Sequence, residues 1–362
     1  MAYTSIDNPS AYFKVQLYTG DGNSSNAITF NDTDTDMQPD LVWIKNRTAT
    51  SSGSHILNDS VRGTQKALYP NGNDGEATTT DGLSAFGSDG FTVGDGAIIN
   101  YNNDNYVAWC WKGGTTSGIS TTGAEITPSA YSFNQTSGVS IVAYTGTGTD
   151  NDGVAHGLNA VPSFVISKKR SGTGAWVVKT CADKIFSSND NHLRLDETAA
   201  LSSAQSTGDN TTGTNGATAT TFNVGSWSGV NEDDGTFIAY CFAEKQGFSK
   251  FGKYTGNGNA DGPYIHLGFR PAWFLTKKSS ASGNNWTLWD NKRDAKNPMD
   301  LLLHPNSSNA ENDSGDNIDF CSNGVKLRNT AGGNNASGAT YIFMAFAEAP
   351  FVNSNGVPCN AR

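Results

Sequence analysis

The chain of 362 residues carries a formal net charge of −10, with 16% charged residues, 10% aromatics, and 41 glycines against 11 prolines. This balance argues against nucleic-acid binding, which needs a dense cationic footprint to replace counterions around phosphate; the longest basic clusters are only Lys168-Lys169-Arg170 and Lys277-Lys278. The aromatic content argues against a disordered chain, and no apolar run approaches the ~18 residues of a membrane span.

The opening segment, Met1 to Asp7, has neither a basic region nor an apolar stretch of signal-peptide type. The expectation is therefore a product made in the cytoplasm without a secretory leader. The residues ahead of the first strand form a candidate docking arm. A strand is predicted over Val15–Tyr18, ending on Tyr18-Thr19-Gly20 with a further glycine at Gly22. Next comes a proline, an apolar run and a lysine, Pro39 to Lys45, predicting a strand over Leu41–Lys45. Gly90-Phe91-Thr-Val93-Gly94 supplies a later strand, and Tyr106-Val-Ala-Trp-Cys-Trp111 closes the set. Short β-branched and aromatic runs bounded by Gly, Asn, Asp and Ser carry the strand-and-turn pattern.

The same order then recurs twice. Residues 113–138 are a Gly/Ser/Thr-rich connection in which Tyr131 and Phe133 alternate as in a strand. The second copy runs through Val139–Tyr144 and Tyr144-Thr145-Gly146, with Gly148. Then come Pro162 to Lys168 with a strand over Phe164–Ser167, Trp176–Lys179, Phe222-Asn-Val224-Gly225 and Phe237-Ile-Ala-Tyr-Cys-Phe242. Ala199–Ala204 is the best helical candidate, and helix content is expected to be low. Only Gln246–Ser249 intervenes before the third copy, a link short enough to press copies two and three together. That copy repeats Tyr254-Thr255-Gly256 with Gly258, Pro271 to Lys277, Gly324-Val325-Lys-Leu327 and Tyr341–Phe346.

The offset from proline to lysine is six in all three copies (45−39, 168−162, 277−271). The Tyr-Thr-Gly anchors lie 126 and 110 residues apart (144−18, 254−144). Such a period is domain-sized, longer than the ~20–50 residues of a solenoid unit or propeller blade. The predicted fold class is all-β: three tandem antiparallel β-sandwich domains of the jelly-roll or concanavalin-like kind, over 1–114 with the arm, 115–247 and 248–362. Each is expected to hold its own core rather than join a single closed ring. Long polar loops are expected at 186–221 and 304–318.

The sites weighed are few. Asn31 to Asp36 is rich in Asp, but an EF-hand frame starting at Asp32 puts Met37 where Gly is needed and Trp43 where a bidentate Glu is needed. Asp150/Asp152 and Glu232/Asp233/Asp234 likewise read as solvated turn acids. The histidines His55, His156, His192, His266 and His304 are isolated, and the five cysteines show no Cys-x-x-Cys, so no metal and no cofactor is expected. Cys110 and Cys241 read as small buried thiols. Gly225-Ser226-Trp227-Ser228-Gly229 puts Trp227 where a nucleophile elbow needs Ser. The 34 acidic residues offer many candidates for the carboxylate pair of glycoside cleavage, but no acid occupies matching positions in all three copies. Asp59/Arg62 and Asp290/Arg293 share an Asp-x-x-Arg spacing, read as structural salt links, and both copies then reach a Pro-Asn. Trp43 and Trp273 are assigned to the core. Trp176, Trp286 and Trp289, beside polar loops, are the candidate ligand-binding residues, because a ring face stacks on the C–H groups of a sugar; a half-buried sandwich position is the competing reading.

The opening Tyr3 to Phe13, together with Pro39–Arg47, Asn58–Gly63, Asp89–Gly94, Tyr106–Lys112, Tyr240–Gly256, Ala345–Phe351 and the tail Val357 to Arg362, resembles a structural protein of phages of marine bacteria. The resemblance implies a virion-associated, fibre-like tail or capsid protein with β-sandwich repeats. It brings no catalytic residues, and the second copy lacks the Asp-x-x-Arg-Gly step. The expectation is a non-enzymatic virion component of a tail fibre or surface appendage, homo-oligomeric. Its partners would be other tail or capsid proteins and a host surface glycan, with no nucleic acid and no membrane insertion. A capsid or tail decoration or connector protein is the alternative, and an envelope polysaccharide-degrading enzyme the third reading.

Overall fold

The computed structural model describes residues 3–30, 35–48, 53–181, 185, 191–205, 207, 216–313, 315 and 317–359. The protein is all-β, built from several antiparallel sheets. Among the described residues its helices are two single turns, Ala97–Asn100 and Ser228–Asn231, and the 3-10 turn Pro9–Ala11. The strands expected over Val15–Tyr18, Leu41–Lys45, Val139–Tyr144, Phe164–Ser167, Trp176–Lys179 and Tyr341–Phe346 are all present, and Tyr131 and Phe133 lie in the strand Ala130–Asn134. Ala199–Ala204 is not helical. Ser202 bridges His192, and the Leu201 amide bonds Ser279 O of the third copy, so long-range pairing overrides local propensity.

The copies share one strand order. In the first, Phe13–Thr19 pairs with the closing strand Asn105–Trp111, which pairs with Leu41–Asn46, which pairs with His55–Asp59. The second runs Val139–Thr145, Thr236–Phe242, Phe164–Lys169, Trp176–Thr180, with Ala130–Asn134 and His192–Arg194 added at its edges. The third runs Ser249–Thr255, Thr340–Pro350, Phe269–Lys278, Thr287–Asp290. The registers coincide: Trp111, Phe242 and Phe346 oppose Leu41, Phe164 and Trp273, each two residues after the anchor proline. A smaller sheet lies outside each: Asn26–Thr29 with Gly90–Val93 and Leu83–Gly87; Asp152–Ala155 with Thr221–Val224; Tyr264–His266 with Gly324–Leu327 and Ile318–Cys321.

The Tyr-Thr-Gly-x-Gly anchor follows from a tight approach between two loops. A Cβ on Gly20, Gly146 or Gly256 would lie 2.1, 2.3 and 2.3 Å from the carbonyl oxygens of Tyr101, Glu232 and Ala336, distances no side chain tolerates. Gly22, Gly148 and Gly258 sit at φ of +66°, +69° and +67°, the left-handed region that favours glycine. A buried asparagine bolts each turn: Asn100, Asn231 and Asn335 accept from the amides of Asp21, Thr147 and Asn257 at 3.0, 2.8 and 2.9 Å. The anchor tyrosines donate to backbone carbonyls, Tyr18 to Ile99, Tyr144 to Val230 and Tyr254 to Asn334, and each stacks on the first aromatic of its closing strand.

Strands alternate their faces, yet the large sheets are buried on both. In the first copy Val42, Ile44, Tyr106, Ala108 and Cys110 face the small outer sheet. Leu41, Trp43, Val107, Trp109 and Trp111 face the other way, into a core that also receives Ile238, Tyr240 and Phe242 of the second copy and Ile342, Met344 and Phe346 of the third. The second and third copies have their own outer cores in the same manner. Equivalent residues meet at the centre: Trp111, Phe242 and Phe346 contact one another pairwise, with ring centroids 6.3, 5.6 and 5.9 Å apart. Three equivalent positions can all touch one another only if the copies close around a common centre. The expectation of self-contained cores therefore holds for the outer layers and fails for the inner one; the copies form a closed ring. The segment read as a docking arm folds against the third copy and the link that precedes it: Tyr3 Oη donates to Gly268 O at 2.7 Å, Thr4 Oγ1 to Gln246 O of the link at 2.8 Å, and Ile6 enters the central core.

Candidate functional site

Two places among the described residues gather chemistry-bearing side chains: the seams between copies and an open cleft on the third copy. At each seam a residue at the head of the strand after the anchor lysine, or just ahead of it in the case of Trp286, reaches a backbone carbonyl of the neighbouring copy. Trp176 Nε1 donates to Tyr69 O at 2.9 Å, Trp286 Nε1 donates to Arg194 O at 2.8 Å, and His55 Nε2 lies 3.0 Å from His304 O. The contacts run cyclically, the second copy onto the first, the first onto the third and the third onto the second. Asn71, Asp196 and Asn306 hold the same three residues by accepting from their amides at 2.8, 3.0 and 2.9 Å.

The anchor lysines complete the pattern. Lys45 Nζ donates to Asn46 O at 2.7 Å and faces Ser308 O of the third copy at 3.4 Å. Lys168 Nζ donates to Lys169 O and to Asn73 O of the first copy. Lys277 Nζ donates to Lys278 O and to Thr198 O of the second. Burial against neutral carbonyls disfavours their charge and pushes all three pKa values down to about 8.

Two seams add ion pairs. Arg62 Nε meets Asp59 Oδ2 at 2.5 Å, and Tyr240 Oη of the second copy donates to that same oxygen at 2.7 Å. Arg293 Nε meets Asp290 Oδ2 at 2.5 Å, and Trp109 Nε1 of the first copy donates to it at 3.0 Å. All four ionic side chains are fully buried. Burial works against the Arg62 charge, but Asp59, Tyr240 and Glu76 together outweigh it and raise its pKa. Glu76 takes Arg170 and Arg62; Glu311 takes Arg47 and Arg293. At the third seam the register puts Met344 where Trp109 and Tyr240 stand and Thr180 where the aspartates stand, so donor and acceptor are lost together. The structural reading of Asp-x-x-Arg is thus extended: the pair also receives the neighbouring copy.

Of the candidate ligand-binding residues, Trp176 and Trp286 are these seam staples, and Trp289 packs against Phe274 in the outer core of the third copy. Their exposures are 0%, 1% and 0%, so none offers a ring face to a sugar. The flanking polar loops suggest exposure, but the rings turn into the central core and, for Trp289, the outer core of the third copy. Trp43, Trp273, Cys110 and Cys241 are buried as read. Among the turn acids, Asp150 accepts from the Ser226 amide, Asp152 from Thr147 Oγ1, and Glu232 meets Lys169. Asn31–Asp34 lie outside the described residues. Among the described residues no three His, Cys, Asp or Glu side chains gather as a metal-binding group, and no helix is long and apolar enough to cross a membrane.

The interior of the ring holds an apolar cavity of about 20 Å³, between Leu41, Trp111, Phe242, Trp273 and their neighbours, the size of a solvent molecule. An open cleft of about 280 Å³ lies on the third copy, lined by Arg270, Asn291, Lys292, Asp294, Phe320 and Glu348. A second hollow of about 160 Å³ shares Asn291, Lys292 and Glu348 and extends to Ser10, Phe13 and Lys14 of the first copy. Together they reach the ~300–1,000 Å³ of small-molecule sites. Arg270 Nε lies 2.7 Å from Glu348 Oε2. Asp294 Oδ2 accepts from the amides of Asp300 and Leu301, which fixes the wall. Asn291 Oδ1 is buried without a hydrogen-bond partner. Sequence reasoning missed this cleft because its residues are loop and strand-end positions outside the repeated anchors.

A family model described as a domain of unknown function, DUF7483, matches residues 8–350. No curated protein and no solved structure matches the chain.

Proposed function

We propose that this chain, which belongs to the DUF7483 family, is a structural component of a bacteriophage particle, part of a tail fibre or surface appendage that contacts the host envelope. The observation that carries the reading is the closed ring itself. Its buried ionic groups, Lys45, Asp59, Arg62, Asp290 and Arg293, are engaged in joining one copy to the next. Such seams suit a rigid part that bears load and presents loops outward. The motif-level resemblance to virion proteins of marine phages supports the same role. A large sheet whose closing strand inserts between the first strand and the strand after the proline supports reading the copies as jelly-roll-like sandwiches. Homo-oligomerisation would multiply weak single contacts with the envelope.

The binding reading is preferred over hydrolysis at the open polar cleft of the third copy. Its two carboxylates, Asp294 and Glu348, are engaged by loop amides and by Arg270. A decoration or connector role shares the same rigid ring and differs in location. Reconstruction of the particle that encodes this chain, with antibody labelling, decides between them. Density at the distal tail supports the adhesive role, density on capsid faces supports decoration, and absence of the chain from purified particles overturns both.

A further inference from the structure

The Tyr-Thr-Gly strand of each large sheet pairs on one side with the closing strand, and the three copies finish its other side differently. In the first copy the Lys112 amide donates to Tyr12 O and the Gly20 amide to Asp104 O. Carried along the strand register, these bonds put the even-numbered residues of Phe13–Thr19 onto the closing strand. Val15 and Leu17 therefore turn their amides and carbonyls away from it. Leu17 O accepts from Gln16 Nε2 at 2.8 Å. The Val15 amide and carbonyl and the Leu17 amide have no hydrogen-bonded partner among the described residues.

In the second copy the counterpart of Val15 is Ile141, and the strand Ala130–Asn134 pairs along it with Ser132 opposite Ile141. That added strand lies in the seam with the first copy: Ser132 Oγ donates to Asp40 Oδ1 at 3.0 Å, and Asn134 Nδ2 to Gly113 O at 3.1 Å. In the third copy the counterpart is Phe251, whose amide donates to Glu244 Oε2 of the second copy at 3.4 Å. Among the described residues the seam between the first and third copies has neither device. The equivalents of Asp40 and Gly113 there are Ala272 and Glu348, each one residue after the anchor proline or two after the matched aromatic. Arg270 holds Glu348 at 2.7 Å, away from the Val15 amide. Ala272 and Glu348, with Phe13, Val15, Asn291 and Ala347, line the open hollow of about 160 Å³. The hollow stands where the second copy seats its added strand.

We propose that this hollow seats an extended segment of a partner protein, which adds a strand antiparallel to Phe13–Thr19 as Ala130–Asn134 does in the second copy. The partner residue opposite Val15 exchanges both main-chain bonds with it. That residue is small, Gly, Ala or Ser, because its side chain points toward Ala272 as that of Ser132 points toward Asp40. An open edge with room beside it is the seat that strand addition uses: main-chain bonds supply affinity and the pocket for the inward side chain supplies selectivity. The described ends of the chain are engaged elsewhere, Tyr3 on Gly268 and Asp7 on Ser354, so the segment comes from another molecule. The larger cleft adjoins the seat through Asn291, Lys292 and Glu348, which gives a longer segment room to continue.

Hydrogen–deuterium exchange of the full chain tests it, with a synthetic peptide of residues 128–136 as the probe, since this stretch contains the strand seated in the second copy. The expected result is exchange slowed about tenfold or more across Phe13–Thr19 and unchanged elsewhere. Leu17→Pro removes an outward amide without breaking a bond to the closing strand and should abolish the protection. A peptide carrying Ser132→Trp, too bulky to sit against Ala272, should give none, and it needs no variant of the chain. No protection by the native peptide at millimolar concentration, equal protection by the Trp peptide, or undiminished protection in Leu17→Pro at an unchanged thermal midpoint would each overturn the seat. Protection that appears on concentrating the chain alone would assign the seat to a second copy and overturn the partner. None of these outcomes moves the chain within the particle, so the virion reading stands or falls separately.

Discussion

Removing the Asp59 carboxylate should unfold more than one copy, because it holds Arg62 within its own copy and Tyr240 of the next. Asp59→Ala leaves the buried Arg62 with the Leu57 carbonyl at 2.8 Å and, as its remaining ionic partner among the described residues, Glu76 at 3.5 Å. Breaking a buried ion pair from one side costs ~3–5 kcal/mol. Tyr240→Phe removes one hydrogen bond to a charged group, ~1.5–3 kcal/mol. In the double variant the tyrosine hydroxyl has already lost its acceptor, so the cost should match Asp59→Ala alone, with a coupling of ~1.5–3 kcal/mol. Urea unfolding followed by tryptophan fluorescence and by circular dichroism should give one coincident transition for every member of the cycle. Additivity within ~0.5 kcal/mol, or two separate transitions of which only one shifts, would refute the reasoning.

The anchor lysines predict a pH dependence. Their pKa values are near 8 when folded and near 10.5 when unfolded, so above pH 8 the unfolded chain binds more protons and stability rises with pH. Buried thiols with raised pKa values, Cys110 and Cys241, oppose this above pH 9. The urea midpoint should therefore climb between pH 8 and 9, and Lys45→Met with Lys168→Met and Lys277→Met should flatten that slope. Asp196 is pushed up to about 6 by burial where the other copies carry Asn71 and Asn306. Asp196→Asn should stabilise by roughly 3 kcal/mol at pH 7, since the charged form is the penalised one above its folded pKa, and the gain should fade toward pH 4, as thermal melts at both pH values would show. Gly20→Ala drives a Cβ into Tyr101 O and should cost about 1–3 kcal/mol or more in a urea melt, as overpacking does.

The strand set, the register and the turns were legible because each rests on local rules. The Pro-to-Lys offset fixes how the closing strand pairs, and Tyr-Thr-Gly-x-Gly records two loops in close approach. Ring closure was hidden because its contacts join residues from copies more than a hundred positions apart and leave no period of their own. One signal was present: Leu-Val-Trp-Ile at Leu41–Ile44 is continuously apolar, and an antiparallel strand without polar alternation has something on both faces. The staples escaped detection because the spacing from the anchor lysine to His55, Trp176 and Trp286 drifts, ten, eight and nine residues (55−45, 176−168, 286−277), and because histidine stands in for tryptophan in the first copy. The cleft escaped for the opposite reason: Arg270 and Asn291 stand where the copies differ, and a search for repeated residues passes over them.

Small-angle X-ray scattering from the monomeric chain tests the closed ring most directly. A compact chain of this length has a radius of gyration of roughly 21 Å, whereas three sandwiches strung end to end would approach roughly 30 Å. The ring predicts the smaller value with a single-peaked distance distribution; the larger value, with a long tail of distances, would contradict it.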